Sequence, residues 1–120
     1  MISNSEIGQR GEEIAVKYLL GCHFEILETN WRYKRAEIDI IARKDNMLVF
    51  VEVKTRQYTY YGEPSEFVTE KKETLVMDAA QRYMEAIDYN WEVRFDIISV
   101  ILTKSGDCKK LDHFEDAFFA

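Results

Sequence analysis

A chain of 120 residues, 47% hydrophobic and with a single proline, is long enough for one packed domain spanning residues 1–120 and lacks the make-up of a disordered tail or linker. Its net charge of −6 argues against a uniformly basic surface of the kind that grips nucleic acid without selection. No apolar run approaches the roughly 18 residues of a membrane span, Met1–Glu6 has neither the basic nor the apolar region of a signal peptide, and two isolated cysteines, Cys22 and Cys108, fit idle thiols in a reducing cytoplasm better than a disulfide framework.

The first predicted element is a helix over residues 5–21. Ile7, Gly11, Ile14, Ala15, Tyr18 and Leu19 share one face at 3.6-residue spacing, with Asn4 or Ser5 as the cap and Gly21 as the stop. At 100° per residue Glu12 falls on the border of that apolar face, whereas Glu13 points into solvent. Three strand-like runs follow, near 24–31, 36–43 and 47–55, and Arg43-Lys44-Asp45-Asn46 has the chemistry of a hairpin turn. In the third run Val49, Val51 and Val53 form one apolar face. Phe50 begins the other, which then turns polar at Glu52 and Lys54. A strand apolar on both faces is a covered, central strand, so a polar switch at its end asks for a reason.

Residues 56–68 read as a loop containing Arg56, Tyr58, Tyr60 and Tyr61. A long helix then runs to about residue 88. Its stripe is Leu75, Val76, Ala79, Ala80, Tyr83, Met84 and Ile87, with Lys72 on the centre of that stripe in the first turn. A strand near 91–103 completes the core, and the tail from 107 adds a short strand or turn. The order is α-β-β-β-α-β.

Chemistry concentrates where the second and third strands meet. Glu52 and Lys54 point the same way because strand side chains alternate, and a short hairpin can lay Asp39 beside Glu52. Two carboxylates about 4 Å apart repel by roughly 4 kcal/mol at an effective dielectric near 20, a cost that a divalent cation removes. The Asp39 and Glu52 oxygens, joined by the Val53 carbonyl, suit Mg²⁺ or Mn²⁺ rather than zinc. Glu12 can reach the same cleft through a metal-bound water, and Lys72 at a helix N-terminus can meet a phosphate. Arg32, Lys34, Arg35, Arg43, Lys44, Lys54 and Arg56 place a basic patch in the hairpin region of an otherwise acidic chain. Arg56 beside Tyr58 and Tyr60 suits stacking on bases next to a phosphate, although the same tyrosines would serve a dimer patch. A lone Glu-x-Lys is ordinarily a solvated pair, and Arg94 with Asp96 reads as a structural ion pair. His23 and His113 have no partner spacing and receive no role.

Taken together, Gly8-x-x-Gly11-Glu12-x-x-Ala15-x-x-Tyr18-Leu19, Glu37-Ile38-Asp39-Ile40-Ile41-Ala42 and Val49-Phe50-Val51-Glu52-Val53-Lys54-Thr55-Arg56 resemble the bacterial YraN family, and Val68-Thr69-x-x-Lys72, Arg94-Phe95-Asp96 and Ala117-Phe118 continue the likeness over nearly the whole chain. The resemblance implies an α/β, restriction-endonuclease-like fold of the PD-(D/E)XK nuclease type, an αβββαβ core with a mixed central sheet flanked by helices. It also implies metal ligation at Asp39 and Glu52, a catalytic role for Lys54 and a supporting acidic role for Glu12. Two positions depart from the pattern. Ala36 stands where the family has glycine, so a backbone with φ > 0 there would be strained, and Ile38 replaces the proline of the wider motif. The expected function is a Mg²⁺- or Mn²⁺-dependent nuclease acting on DNA in preference to RNA, with a structured or branched substrate. A non-catalytic nucleic-acid-binding module and a protein-interaction domain on the same scaffold are the competing readings. So small a domain offers little surface for a duplex, which makes a homodimer or a larger partner an expectation as well.

Overall fold

The computed structural model describes residues 3–57 and 70–117, with the side chains of the second helix from Thr74 onward. The elements run α1 (Asn4–Gly21), β1 (Glu25–Tyr33), β2 (Ala36–Lys44), β3 (Met47–Gln57), α2 (Glu70–Ala86), β4 (Glu92–Leu102) and β5 (Cys108–Phe114). The expected αβββαβ order is present, and the tail supplies a fifth strand. The sheet has spatial order β1-β2-β3-β4-β5, antiparallel throughout except for the parallel β3–β4 pair. A parallel pair needs a crossover of a dozen residues or more, and α2 lies in that connection. Among the described residues no helix is long and apolar enough to cross a membrane.

Each helix covers one face of the sheet. Ala15 and Leu19 of α1 pack with Ile40, Ala42, Val49, Val51, Ile98, Val100 and Leu102. On the other face, Val76, Ala79, Ala80 and Tyr83 of α2 pack with Ile38, Ile41, Leu48 and Phe50. Trp31 and Phe50 meet the Tyr83 ring edge-on, at centroid distances of 5.3 and 6.2 Å. The buried stripe of α2 is narrower than its spacing suggests. Leu75 lies at its exposed edge, and Ile87 falls in the turn after the helix has ended at Ala86. The start of α1 is also shifted by one residue from expectation: the cap is Ser3, whose hydroxyl accepts from the Glu6 N–H at 3.2 Å.

Two local features decide where functional groups end up. Gly11 is one. A Cβ there would sit 1.8 Å from Thr55 Oγ1, so its absence lets α1 settle on the end of β3 and brings Glu12 to that end of the sheet. The β1–β2 hairpin is the other. Its left-handed residue is Lys34, at φ 55°, whereas Ala36 is a buried strand residue paired with Tyr33. The strain that alanine would cause at φ > 0 therefore does not arise at position 36.

On β4, where it pairs with Val51, the fully buried Asp96 carboxylate ties three elements together. It accepts from Arg94 Nε and Nη2 at 2.8 and 2.9 Å and from the Asp116 N–H at 3.0 Å, and it lies 2.7 Å from His113 Nε2. The other ring nitrogen of His113 is 2.9 Å from the Tyr18 hydroxyl of α1. The Arg94–Asp96 pair is the one the two-residue spacing suggests, but the histidine joins it from β5, and nothing in the sequence pattern points there.

Candidate active site

The β2–β3 ladder runs from Lys44↔Met47 to Ile40↔Val51 and stops. One residue further along β2, the Asp39 side chain takes over. Its Oδ2 accepts from the Val53 N–H at 2.8 Å, so a carboxylate fills the gap where a backbone carbonyl would continue the sheet. The faces of β2 turn over at the same point. Ile38 packs on the α2 side and Ile40 on the α1 side, whereas strict alternation would put both on one face. Glu37 and Asp39, flanking Ile38, therefore face α1.

There they meet Glu12. Carboxylate oxygens of Glu12, Glu37 and Asp39 all lie within 4.8 Å of one another. Glu12 arrives from α1 as its border position on the apolar face suggests. Glu37 is the residue that sequence reasoning passed over, although its Glu-x-Asp spacing in a strand was the available signal. Arg32 holds Glu37 at 2.6 Å.

Glu52 and Lys54 continue the Leu48–Phe50 row of β3, opposite the Val49–Val51 row. They lie on one face, with Lys54 Nζ 3.6 Å from Glu52 Oε1, and both are largely removed from solvent, the Lys54 side chain 18% and the Glu52 side chain 7% exposed. Val53 lies between them. Its N–H points into the gap toward Asp39, and in an extended strand the carbonyl of the same residue points to the same edge. The Val53 carbonyl is thus available as an oxygen donor on the side where Asp39 stands.

The electrostatics mark Asp39 as the costly group. Burial raises its pKa most, the Glu52 charge raises it further, the Val53 hydrogen bond opposes this, and Glu12 and Glu37 add to it. The result is a carboxyl pushed up to about 7. Glu12 is raised as well, first by burial, against a hydrogen bond from Asn30, and then by the charges of Glu37 and Glu52. Asp39, Glu12, Glu37 and Glu52 therefore sense one another across both faces of the gap.

Of the remaining candidates, Arg56 donates to the Thr55 carbonyl at 2.7 Å and, with Glu12, lines a cavity of about 530 Å³ between α1 and the end of β3. Arg35 is exposed in the turn between β1 and β2. Lys72 is in the first turn of α2, with its side chain outside the described residues, as are Tyr58 and Tyr60.

The sequence pattern of the uncharacterised protein family UPF0102 matches residues 11–100, which include Glu12, Glu37, Asp39, Glu52 and Lys54. A UPF0102 protein of Christiangramia forsetii is 45% identical over 99% of this chain and 98% of its own. One of Flavobacterium psychrophilum is 44% identical over the same shares. One of Clostridium botulinum is 44% identical over 96% of this chain and 95% of its own.

Proposed function

Because the chain belongs to the uncharacterised protein family UPF0102, the YraN family that its motifs resemble, its chemistry has to come from its site, and we propose that it is a metal-dependent nuclease that hydrolyses phosphodiester bonds in DNA. The observation that carries this reading is the gathering of Glu12, Glu37 and Asp39, with their oxygens within 4.8 Å, beside a Glu52–Lys54 pair at the point where two strands part. Such a cluster is unfavourable in isolation, as the upward push on Asp39 records. All its donors are oxygens, and that set fits a hard divalent ion, Mg²⁺ or Mn²⁺.

Asp39, Glu52 and the Val53 carbonyl would hold the ion, with Glu12 reaching it through water. When bound, a divalent ion supplies a water of lowered pKa and polarises a phosphoryl oxygen. The chain's own residues do the rest. The Val53 N–H fixes the Asp39 carboxylate in the gap. Glu52 keeps the Lys54 ammonium on its own face, where it neutralises charge that builds on the phosphate as the P–O bond breaks. Arg56 and Arg35 are the cations that meet flanking phosphates, and their interactions are the salt-dependent part of binding. The choice of DNA over RNA, and of a branched or otherwise structured substrate, follows the fold resemblance.

The test is cleavage of a labelled branched DNA with Mg²⁺ present. Asp39→Ala or Glu52→Ala abolishes cleavage while the circular dichroism spectrum of the fold is retained, and Lys54→Ala slows it on the order of 10²–10³-fold. Cleavage at the wild-type rate in either acid variant removes this site from the reaction. Salt-sensitive binding that survives in EDTA and tolerates loss of both acids, with no cleavage, would make the protein a binding module instead.

A further inference from the structure

Glycine inside a helix costs roughly 0.5–1 kcal/mol relative to alanine, and the interior of α1 contains two. Gly11 is accounted for by the close approach of Thr55. Gly8 is not. A Cβ at position 8 meets no atom within 4 Å, and its backbone is not in the left-handed region. The space that such a side chain would enter is the cavity of about 530 Å³ lined by Ile7, Gly8, Glu12, Thr55, Arg56 and Gln57. A glycine that bares helix backbone toward an open cavity is suited to a flat ligand lying close against it.

A further observation points to an occupant. Glu12 lines the cavity and also belongs to the carboxylate cluster, so the cavity opens directly onto the candidate active site. Its volume is that of a small-molecule or nucleotide site and exceeds what a lone phosphate fills. Its lining combines an apolar contact (Ile7), bared backbone (Gly8), an amide (Gln57) and a cation (Arg56).

We propose that this cavity is the subsite for the nucleotide adjoining the cleaved phosphate, with the base flat against the α1 backbone at Gly8 and Arg56 toward the neighbouring phosphate. The position relative to the cleaved bond rests on the nuclease reading, whereas binding of the nucleotide does not.

The experiment measures fluorescence anisotropy of a labelled single-stranded DNA octamer of mixed sequence, with Ca²⁺ in place of Mg²⁺, against wild type, Gly8→Ala, Gly8→Leu and Gly21→Ala. Gly21 is equally open to a Cβ and lies at the other end of α1, so it controls for an added side chain. Gly8→Leu raises Kd by at least about tenfold and Gly8→Ala by less. Both melt at or above the wild-type temperature, because each gains helix propensity, and Gly21→Ala binds as wild type does. Wild-type affinity in Gly8→Leu overturns the subsite, as does the absence of saturable binding by the wild-type protein. Cleavage of the same DNA with Mg²⁺ is scored separately. Gly8-dependent binding without Asp39-dependent cleavage retains the subsite and rejects the nuclease. Asp39-dependent cleavage that ignores Gly8 does the reverse.

Discussion

Asp39, half-buried, and Asp96, fully buried, are two aspartates in one sheet, and their surroundings are opposite. Asp96 is surrounded by donors: a two-point contact from Arg94, His113 and the Asp116 N–H. Asp39 has the Val53 N–H and, beyond it, the carboxylates of Glu52, Glu12 and Glu37. A buried charge persists only when it is paired and hydrogen-bonded, and the chain itself completes the environment of Asp96. It leaves that of Asp39 to be completed from outside. On the metal-dependent reading proposed above, the contrast separates an acid that holds the fold from an acid that binds a cation, and the same substitution at each position tests it.

The largest effect belongs to Asp96→Asn. An amide removes the charge that Arg94 and His113 face and turns an N–H toward other donors. Breaking a buried pair in this way costs about 3–5 kcal/mol, so the melting temperature falls by roughly 10 °C or more. A melting temperature within a degree or two of wild type would show that Glu115, which sits 3.1 Å from Arg94, already satisfies the arginine, and the comparison would lose one side.

Asp39→Asn moves stability the other way, and only at higher pH. The folded-state pKa of Asp39 is pushed up to about 7 from an ordinary 3.8. Between those values the native state binds more protons than the unfolded chain, so stability falls as pH rises through that window. By pH 8 the wild type has lost on the order of 2–4 kcal/mol at this position. Asparagine still accepts from the Val53 N–H but carries no charge. The variant therefore melts above wild type at pH 8 in EDTA, and the two converge near pH 4. A pH-independent difference between them would mean that the carboxylates do not crowd Asp39 as described.

Much of this was readable in the chain. The Val49–Val53 alternation and its polar turn at Glu52 and Lys54 required a covered strand with a chemical end. The helical spacing placed Glu12 on the α1 border, where it meets Asp39. What the sequence hid were features set by departures from regular geometry. The inversion of faces at Asp39, which brings Glu37 to the α1 side, is a local shift that a two-residue alternation cannot foresee. His113 reaches Asp96 only because β5 pairs with β4 in a particular register, Ile98↔His113, which follows an irregularity between Ile101 and Leu102 that shifts the pairing by one residue. Gly8 and Gly11 look alike as letters, and only the position of Thr55 tells them apart.

The smallest effects assign the ion. At pH 8, about 10 mM Mg²⁺ stabilises wild type by ~1.4 kcal/mol if its Kd is near 1 mM, and it leaves the melting temperature of Asp39→Asn unchanged. Glu37→Gln changes the melting temperature little without metal. Its partner Arg32 is mostly exposed, and such pairs contribute about 1 kcal/mol or less. Loss of its charge also eases Asp39, so the pH at which stability declines moves slightly down. Arg32 already offsets the Glu37 charge, whereas Glu52 stands second only to burial in raising Asp39. On the reading proposed above the ion sits between Asp39 and Glu52, and Glu37→Gln then keeps most of the Mg²⁺ stabilisation. Its disappearance in that variant would transfer the ion to the Glu12–Glu37–Asp39 side of the gap and leave Glu52 as the positioning partner of Lys54.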